Sequence, residues 1–143
     1  MKSRWIGKAD ALAEKVAGLE VIAGAGLEVI VLQEHDPMAQ VVAGMEKSAR
    51  GCILVAWLGG KNPETKLTTL RIGSGYSVSV WLPARPNGDD LPPIDYLAEA
   101  IAEGIHGWVQ PDGLIHPLLV TAVKPLPDPT FRVVEVTAEV FRV

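Results

Sequence analysis

The chain has 143 residues, of which 48% are hydrophobic, and a formal net charge of −4. This length suits one domain, residues 1–143, that buries roughly two thirds of the surface of its unfolded chain and needs no disulfide or metal to fold. The 13 basic residues are scattered rather than clustered, which argues against a surface that binds nucleic acid by neutralising phosphates.

The composition also predicts a soluble protein that assembles. The single cysteine, Cys52, excludes an internal disulfide framework and is compatible with a reducing cytoplasm. The longest uninterrupted apolar run, residues 52–58, is too short to span a bilayer, and the first residues lack the apolar core of a signal peptide. We therefore expect an unexported protein with no membrane partner. Its apolar content favours a buried subunit interface.

The first part of the chain predicts helices alternating with strands. Residues 3–19 carry apolar side chains at helical spacing, and the glycine-rich residues 23–26 break that periodicity. The β-branched run 27–32 predicts a strand. Asp followed by Pro at 36–37 is typical of a helix start, so we expect a second helix up to residue 51. Residues 52–58 then predict a strand apolar on both faces, covered by helix on one side and by helix or a neighbouring subunit on the other.

A hairpin is predicted next. Residues 59–63 read as a loop, and strands at 67–72 and 76–82 flank Gly73-Ser74-Gly75, which is typical of a hairpin turn. In the second of these strands alternate side chains point to opposite faces. The polar face carries Ser77, Ser79 and Trp81, and Trp81 is therefore predicted to be an exposed aromatic residue.

Residues 92–108 predict an amphipathic helix on which the rest of the fold depends. Its apolar residues recur every three or four positions, paired prolines precede its first turn, and Gly107 suits its end. Asp95, Glu99 and Glu103 form a row at i, i+4 and i+8. Such a row is usually a solvated face, and its functional alternative is contact with a basic neighbour from another subunit.

The last segments complete a mostly antiparallel sheet. Residues 117–124 and 130–143 predict two strands, and the three prolines within residues 125–129 are expected to interrupt regular structure between them. The order of predicted elements is α-β-α-β-β-β-α-β-β. This order indicates an α+β domain with helices packed on the sheet.

Candidate chemical sites are weak. Gly59-Gly60-Lys61 lacks the spacing of a phosphate-binding loop, and His35, His106 and His116 have no partner at metal-ligand spacing. Cys52 opens the most apolar strand and is predicted to fill the core. We therefore predict no catalytic residue, no cofactor and no metal, and a protein that is not an enzyme.

Residues that contact partners are predicted instead. Tryptophan is a frequent anchor of interfaces, and Trp5 and Trp81 are better candidates than Trp108, which ends the apolar stripe of the helix. The serines beside Trp81 and the acidic helix row complete the predicted contact set. This set consists of Trp81, Ser77, Ser79, Trp5, Asp95, Glu99 and Glu103.

The order and spacing of several segments resemble a known family. These segments are the run 51–60, the strand end Val78-Ser79-Val80-Trp81-Leu82, and the helix end Ile105-His106-Gly107-Trp108 followed by Pro111. Together with the N-terminal helix they resemble the Mu-like phage minor tail proteins and the tail-terminator, or tail-completion, proteins. The long loop 83–92 and the proline-rich residues 125–129 depart from the family pattern.

The resemblance implies a subunit of a homo-oligomeric ring, commonly a hexamer, that caps the tail tube and contacts head-connector proteins. It implies a place in the virion tail, after assembly in the bacterial host cytoplasm. DNA is expected to pass through a ring of negative charge without specific binding. The alternatives are another head–tail connector, or a small α+β enzyme or ligand-binding domain with its site between the main helix and the sheet.

Overall fold

A computed structural model describes residues 4–32, 51–61, 73–83, 91–109, 117–128 and 131–140. In these ranges the chain forms three helices and five strands. The helices are α1 (Arg4–Ala17), α2 (Glu20–Ala25) and α3 (Ile94–Ile105). The strands are β1 (Glu28–Val31), β2 (Cys52–Lys61), β3 (Gly73–Pro83), β4 (Leu119–Leu126) and β5 (Phe131–Val140).

The five strands form one sheet in the order β1-β2-β3-β5-β4. β1 and β2 are parallel, and every other pair is antiparallel. The predicted α+β class, a mostly antiparallel sheet with helices packed on it, is confirmed. A parallel pair requires a crossover connection. The helix predicted up to residue 51 falls in that connection, and residues 36–50 lie outside the described residues.

All three helices contribute to a single core with one face of the sheet, which we call the inner face. In β3 alternate residues point inward, and Tyr76, Val78, Val80 and Leu82 are buried there. In β5 the inward residues include Val136 and Ala138. The alternate apolar residues of these strands therefore face the apolar stripes of the helices that cover them.

Helix α3 has the boundaries that its sequence signals predict. Pro93 occupies the N-cap position, where its missing N–H costs nothing, and Gly107 follows the helix with φ 79°. The apolar stripe is buried against the sheet, at Leu97, Ala98, Ile101 and Ile105.

The segment after α3 runs back along β4. The Gly107 N–H donates to the Leu118 carbonyl at 2.7 Å, and the Leu118 N–H donates to the Trp108 carbonyl at 2.9 Å. The Val120 N–H donates to Nδ1 of His106 at 3.0 Å. His106 is therefore a structural acceptor that holds the beginning of β4 against the end of α3.

Three local predictions were wrong. Residues 59–61, predicted as a loop, continue β2, with a bulge between Trp57 and Gly59. Gly73-Ser74-Gly75, predicted as a turn, lies inside β3 and pairs with β2 from Gly59 to Lys61. Residues 20–25, in which no helix was predicted, form α2, because burial of Ile22 and Ala25 stabilises a helix that glycine weakens.

The prediction that prolines interrupt regular structure from residue 125 was also wrong at its start. Pro125 lies in β4, opposite Val134 of β5. β4 is an edge strand of the sheet formed by the described residues, and an edge strand tolerates proline because one side of its ladder needs no donor. The turn comes later, where the Asp128 carboxylate accepts the Phe131 N–H at 2.8 Å. The predicted strand 67–72 and most of the loop 83–92 lie outside the described residues.

Gly51 marks the position where the fold tolerates side chains least. Its φ is 134°, and a Cβ atom built there would overlap the Trp81 carbonyl oxygen and lie 2.8 Å from Cδ2 of Leu82. We predict that Gly51→Ala lowers the free energy of unfolding by about 2–4 kcal/mol, since it combines strain with overpacking. Chemical denaturation measures this difference.

The matched control is Gly24→Ala in α2, where an added Cβ meets nothing within 4 Å. This change should stabilise the protein by up to about 1 kcal/mol through helix propensity. Equal effects of the two substitutions would contradict the backbone geometry described for Gly51.

Candidate functional site

The outer face of the sheet, opposite the helices, carries three of the predicted contact residues. Ser77, Ser79 and Trp81 share this face of β3, as the alternation predicts. Both serines are buried, and Trp81 is half-buried. The prediction that Trp81 is exposed was therefore wrong.

Hydrogen bonds within the chain satisfy these side chains. The Ser77 hydroxyl donates to Oε2 of Glu135 at 2.9 Å, and Nε1 of Trp81 donates to Oγ of Ser79 at 2.9 Å. The Trp81 ring meets Phe131 edge to face, with centroids 5.8 Å apart. The first of these bonds holds β3 to β5, and the second lies within β3, so the polar groups are paired inside the chain, as buried polar groups require.

Cys52 lies beside Trp81 in a small apolar cluster on the same outer face. Cys52 and Leu54 are buried there, with Ile30 and Leu32 packed around them. The first half of β2 is therefore buried on both faces, whereas Leu58 nearer its end is 57% exposed. The helix or neighbouring subunit predicted over the second face stays a prediction. Burial, with a smaller contribution from the Glu28 carboxylate, raises the pKa of the Cys52 thiol to about 11.

A groove of about 350 Å³ lies on the helical side, between α2 and α3. We call it the α2–α3 groove, and it is lined by Leu19, Glu20, Tyr96, Glu99, Glu103 and Gly104, among others. The two helices approach closely beneath it, since a Cβ on Gly104 would lie 2.6 Å from Cδ2 of Leu19. The rim is therefore acidic and aromatic, and the floor is apolar.

The groove divides the acidic row that the sequence predicts. Glu99 and Glu103 line it, whereas Asp95 is exposed outside it. Glu20 joins them from α2, and Tyr96 stands beside them with 51% of its surface exposed. Sequence spacing identified the row on α3 but missed Glu20 and Tyr96, because only the packing of α2 against α3 brings them together.

Strand β4 is the second surface whose side chains are largely uncovered. Leu119 is 41% exposed and Val123 is 47% exposed. Lys124 is exposed between Val123 and Pro125. The predicted strand ended at residue 124, so Pro125, which is typical of an edge strand, was assigned to the following turn.

The remaining candidates are half-buried or lie outside the described part of the structure. Trp5 lies in the first turn of α1, and its side chain is outside the described part of the structure. Trp108 is half-buried at the margin of the core. His35 and His116 are outside the described residues. Within the described ranges, no cluster of three or more metal-ligating side chains forms, and no helix has the length and hydrophobicity to cross a bilayer.

Comparison with known proteins adds support for the fold alone. No protein-family model matches the chain, and no curated protein does. A solved structure, whose name gives no function, superposes with a TM-score of 0.57 over 100% of this chain and 97% of its own. Its sequence is 12% identical. At that identity the likeness shows a shared fold.

We predict that Cys52 is chemically protected in the folded protein. The pKa of its thiol is about 11, whereas the usual pKa of an unfolded thiol is 9.0. The stability that Cys52 contributes is therefore complete below pH 9.0 and is lost as the pH rises towards 11. Denaturation at several pH values should show this loss in the native chain and not in Cys52→Ala. The same loss in both chains would contradict the assignment.

We predict that Trp81 is mainly a structural residue. Trp81→Phe removes the hydrogen bond to Ser79 and should cost about 1 kcal/mol. Trp81→Glu places a carboxylate beside Cys52 and Phe131 and should cost several times more. Thermal unfolding compares the two. If Trp81→Glu left the melting temperature unchanged, Trp81 would again be a candidate for contact with a partner.

Proposed function

We propose that this protein is a structural subunit of a phage or prophage tail, acting as a tail terminator or a closely related minor tail protein. In this role it assembles into a ring, caps the tail tube, offers a surface to the head connector and resides in the virion tail. Two lines of support meet here. The order of sequence segments resembles that family, and strand β4 leaves apolar side chains uncovered at the sheet edge.

The uncovered edge strand is the observation on which the proposal mainly depends. Leu119 and Val123 project to opposite faces of β4, since they pair with Glu139 and Val136 respectively. Large apolar side chains concentrated on an edge are typical of an interaction surface rather than of a freely soluble monomer.

The edge is suited to contact through side chains rather than through an added strand. β4 carries a bulge between Val120 and Ala122, followed by Lys124 and Pro125. Bulges, lysine and proline are features by which edge strands avoid uncontrolled pairing. A specific neighbour can therefore use the side chains of β4 while the backbone resists open-ended aggregation.

A ring also requires two unlike surfaces on each subunit, because head-to-tail contacts close only through a heterologous interface. The chain has two candidates that differ in chemistry. β4 is apolar with a lysine, and the α2–α3 groove is lined by three carboxylates. These two surfaces are therefore the candidates for subunit contact. The outer sheet face is not, because its serines and Trp81 form hydrogen bonds within the chain.

A second candidate function is a ligand-binding domain, and the α2–α3 groove favours it. The site predicted from the sequence for this alternative lies between the main helix and the sheet, whereas the groove lies between two helices. A small cation that raises the melting temperature of the native chain, and not of Glu103→Gln, would support this candidate.

We predict that Val123→Asp prevents assembly without unfolding the chain. Val123 is on an exposed edge, so its replacement should change stability by less than about 1 kcal/mol. Light scattering should give the native assembly a mass near six times the 15.3 kDa of one chain, and the variant a mass near one chain.

Leu58→Asp is the matched control, since Leu58 is 57% exposed and lies in β2, away from β4. It should leave the mass of the assembly unchanged. A native chain that stays monomeric with and without tail-tube protein would contradict the proposed function.

A further inference from the structure

The α2–α3 groove and strand β4 carry complementary chemistry on the same chain. The groove combines an apolar floor with the carboxylates of Glu20, Glu99 and Glu103 and the exposed ring of Tyr96. Among the residues that the structure describes, no basic side chain forms an ion pair with these carboxylates. The groove therefore suits a partner that offers an apolar side chain next to a cation.

Strand β4 offers this combination. Lys124 is exposed, and exposed Val123 and Pro125 flank it. Glu135 faces Lys124 across the ladder, but its Oε2 accepts the hydroxyl of Ser77, and Lys124 makes no ion pair with any residue in the described ranges. Lys124 and Val123 project to opposite faces of β4, since they pair with Glu135 and Val136 respectively. Both are exposed, so a molecule that receives the edge of β4 can contact both of them.

The two surfaces belong to different parts of the molecule. The groove is lined by residues of α3 and of the stretch from 19 to 21, and its lining includes no residue of β4. A contact between unlike surfaces of identical chains is head-to-tail. We infer that the α2–α3 groove receives the edge of β4, at Val123 and Lys124, from a second copy of the chain. This inference rests on the proposed ring function.

The size of each contribution indicates what each residue does. An exposed ion pair contributes about 0–1 kcal/mol, so Lys124 and the three glutamates mainly set the orientation of the two copies. Tyr96 and Val123 supply the contact area that holds them, because aromatic side chains dominate the binding energy of interfaces.

Charge exchange tests the inference. Glu103→Lys and Lys124→Glu should each weaken self-association about tenfold or more, as measured by sedimentation velocity, because each places like charges together. The chain with both substitutions should recover most of the lost affinity. Asp95→Lys makes the same charge change on α3 outside the groove, and it should have little effect.

Covalent trapping covers the case in which the free chains associate weakly. A chain with Glu103→Cys and Lys124→Cys should form a ladder of disulfide-linked oligomers on oxidation, because each copy links to the next. The chain with Asp95→Cys and Lys124→Cys should not. Cys52 is buried and does not interfere.

The outcomes separate this inference from the proposed function. If the substituted chains form rings with unchanged affinity, the inference is overturned and the proposed ring function still stands. Linked chains that never close into a ring would support the inference and contradict the proposed function. A monomer that gives no ladder contradicts both. Binding of an oligolysine peptide in the groove of a chain that gives no ladder would assign the groove to a different basic partner.

Discussion

The packing of α3 on the apolar inner faces of β3 and β5 is the contact on which the rest of the structure depends. β3 lies in the middle of the sheet, and its inward residues from Tyr76 to Leu82 are buried under the helical layer. α3 supplies the opposing stripe, from Leu97 to Ile105. A strand of period two and a helix of period 3.6 meet here through apolar side chains and the buried ring of Tyr76. This match fixes which face of every other strand points inward.

The same constraint determines which surfaces remain for partners. Once the even-numbered residues of β3 point inward, Ser77, Ser79 and Trp81 point outward, where Glu135 and Phe131 engage them. The position of α3 over the sheet also leaves Val123 of β4 uncovered and turns Glu99 and Glu103 towards α2. The interaction surfaces are thus consequences of how one helix crosses one sheet.

Local periodicity predicted the fold class, α1, α3 and the alternation of β3 and β5, because burial on one face leaves its period in the sequence. It failed where tertiary contacts decide. Glycine suggested turns at residues 59–61 and 73–75, yet cross-strand pairing extends both strands through them. The groove was only half predictable, since Glu99 and Glu103 share a helix but Glu20 reaches them through the packing of α2. Exposure of β4 follows from strand order, which spacing along the chain does not encode.

Hydrogen exchange of the assembled protein, compared with the dilute chain, tests the central claim that subunits join through β4 and the α2–α3 groove. The account predicts that amides gain protection on assembly in residues 119–126, 19–21 and 96–104, while those of β1 and the first half of β2 are unchanged. Protection gained instead on the outer face around Cys52 and Trp81, or no gain in any of the three predicted segments, would contradict it.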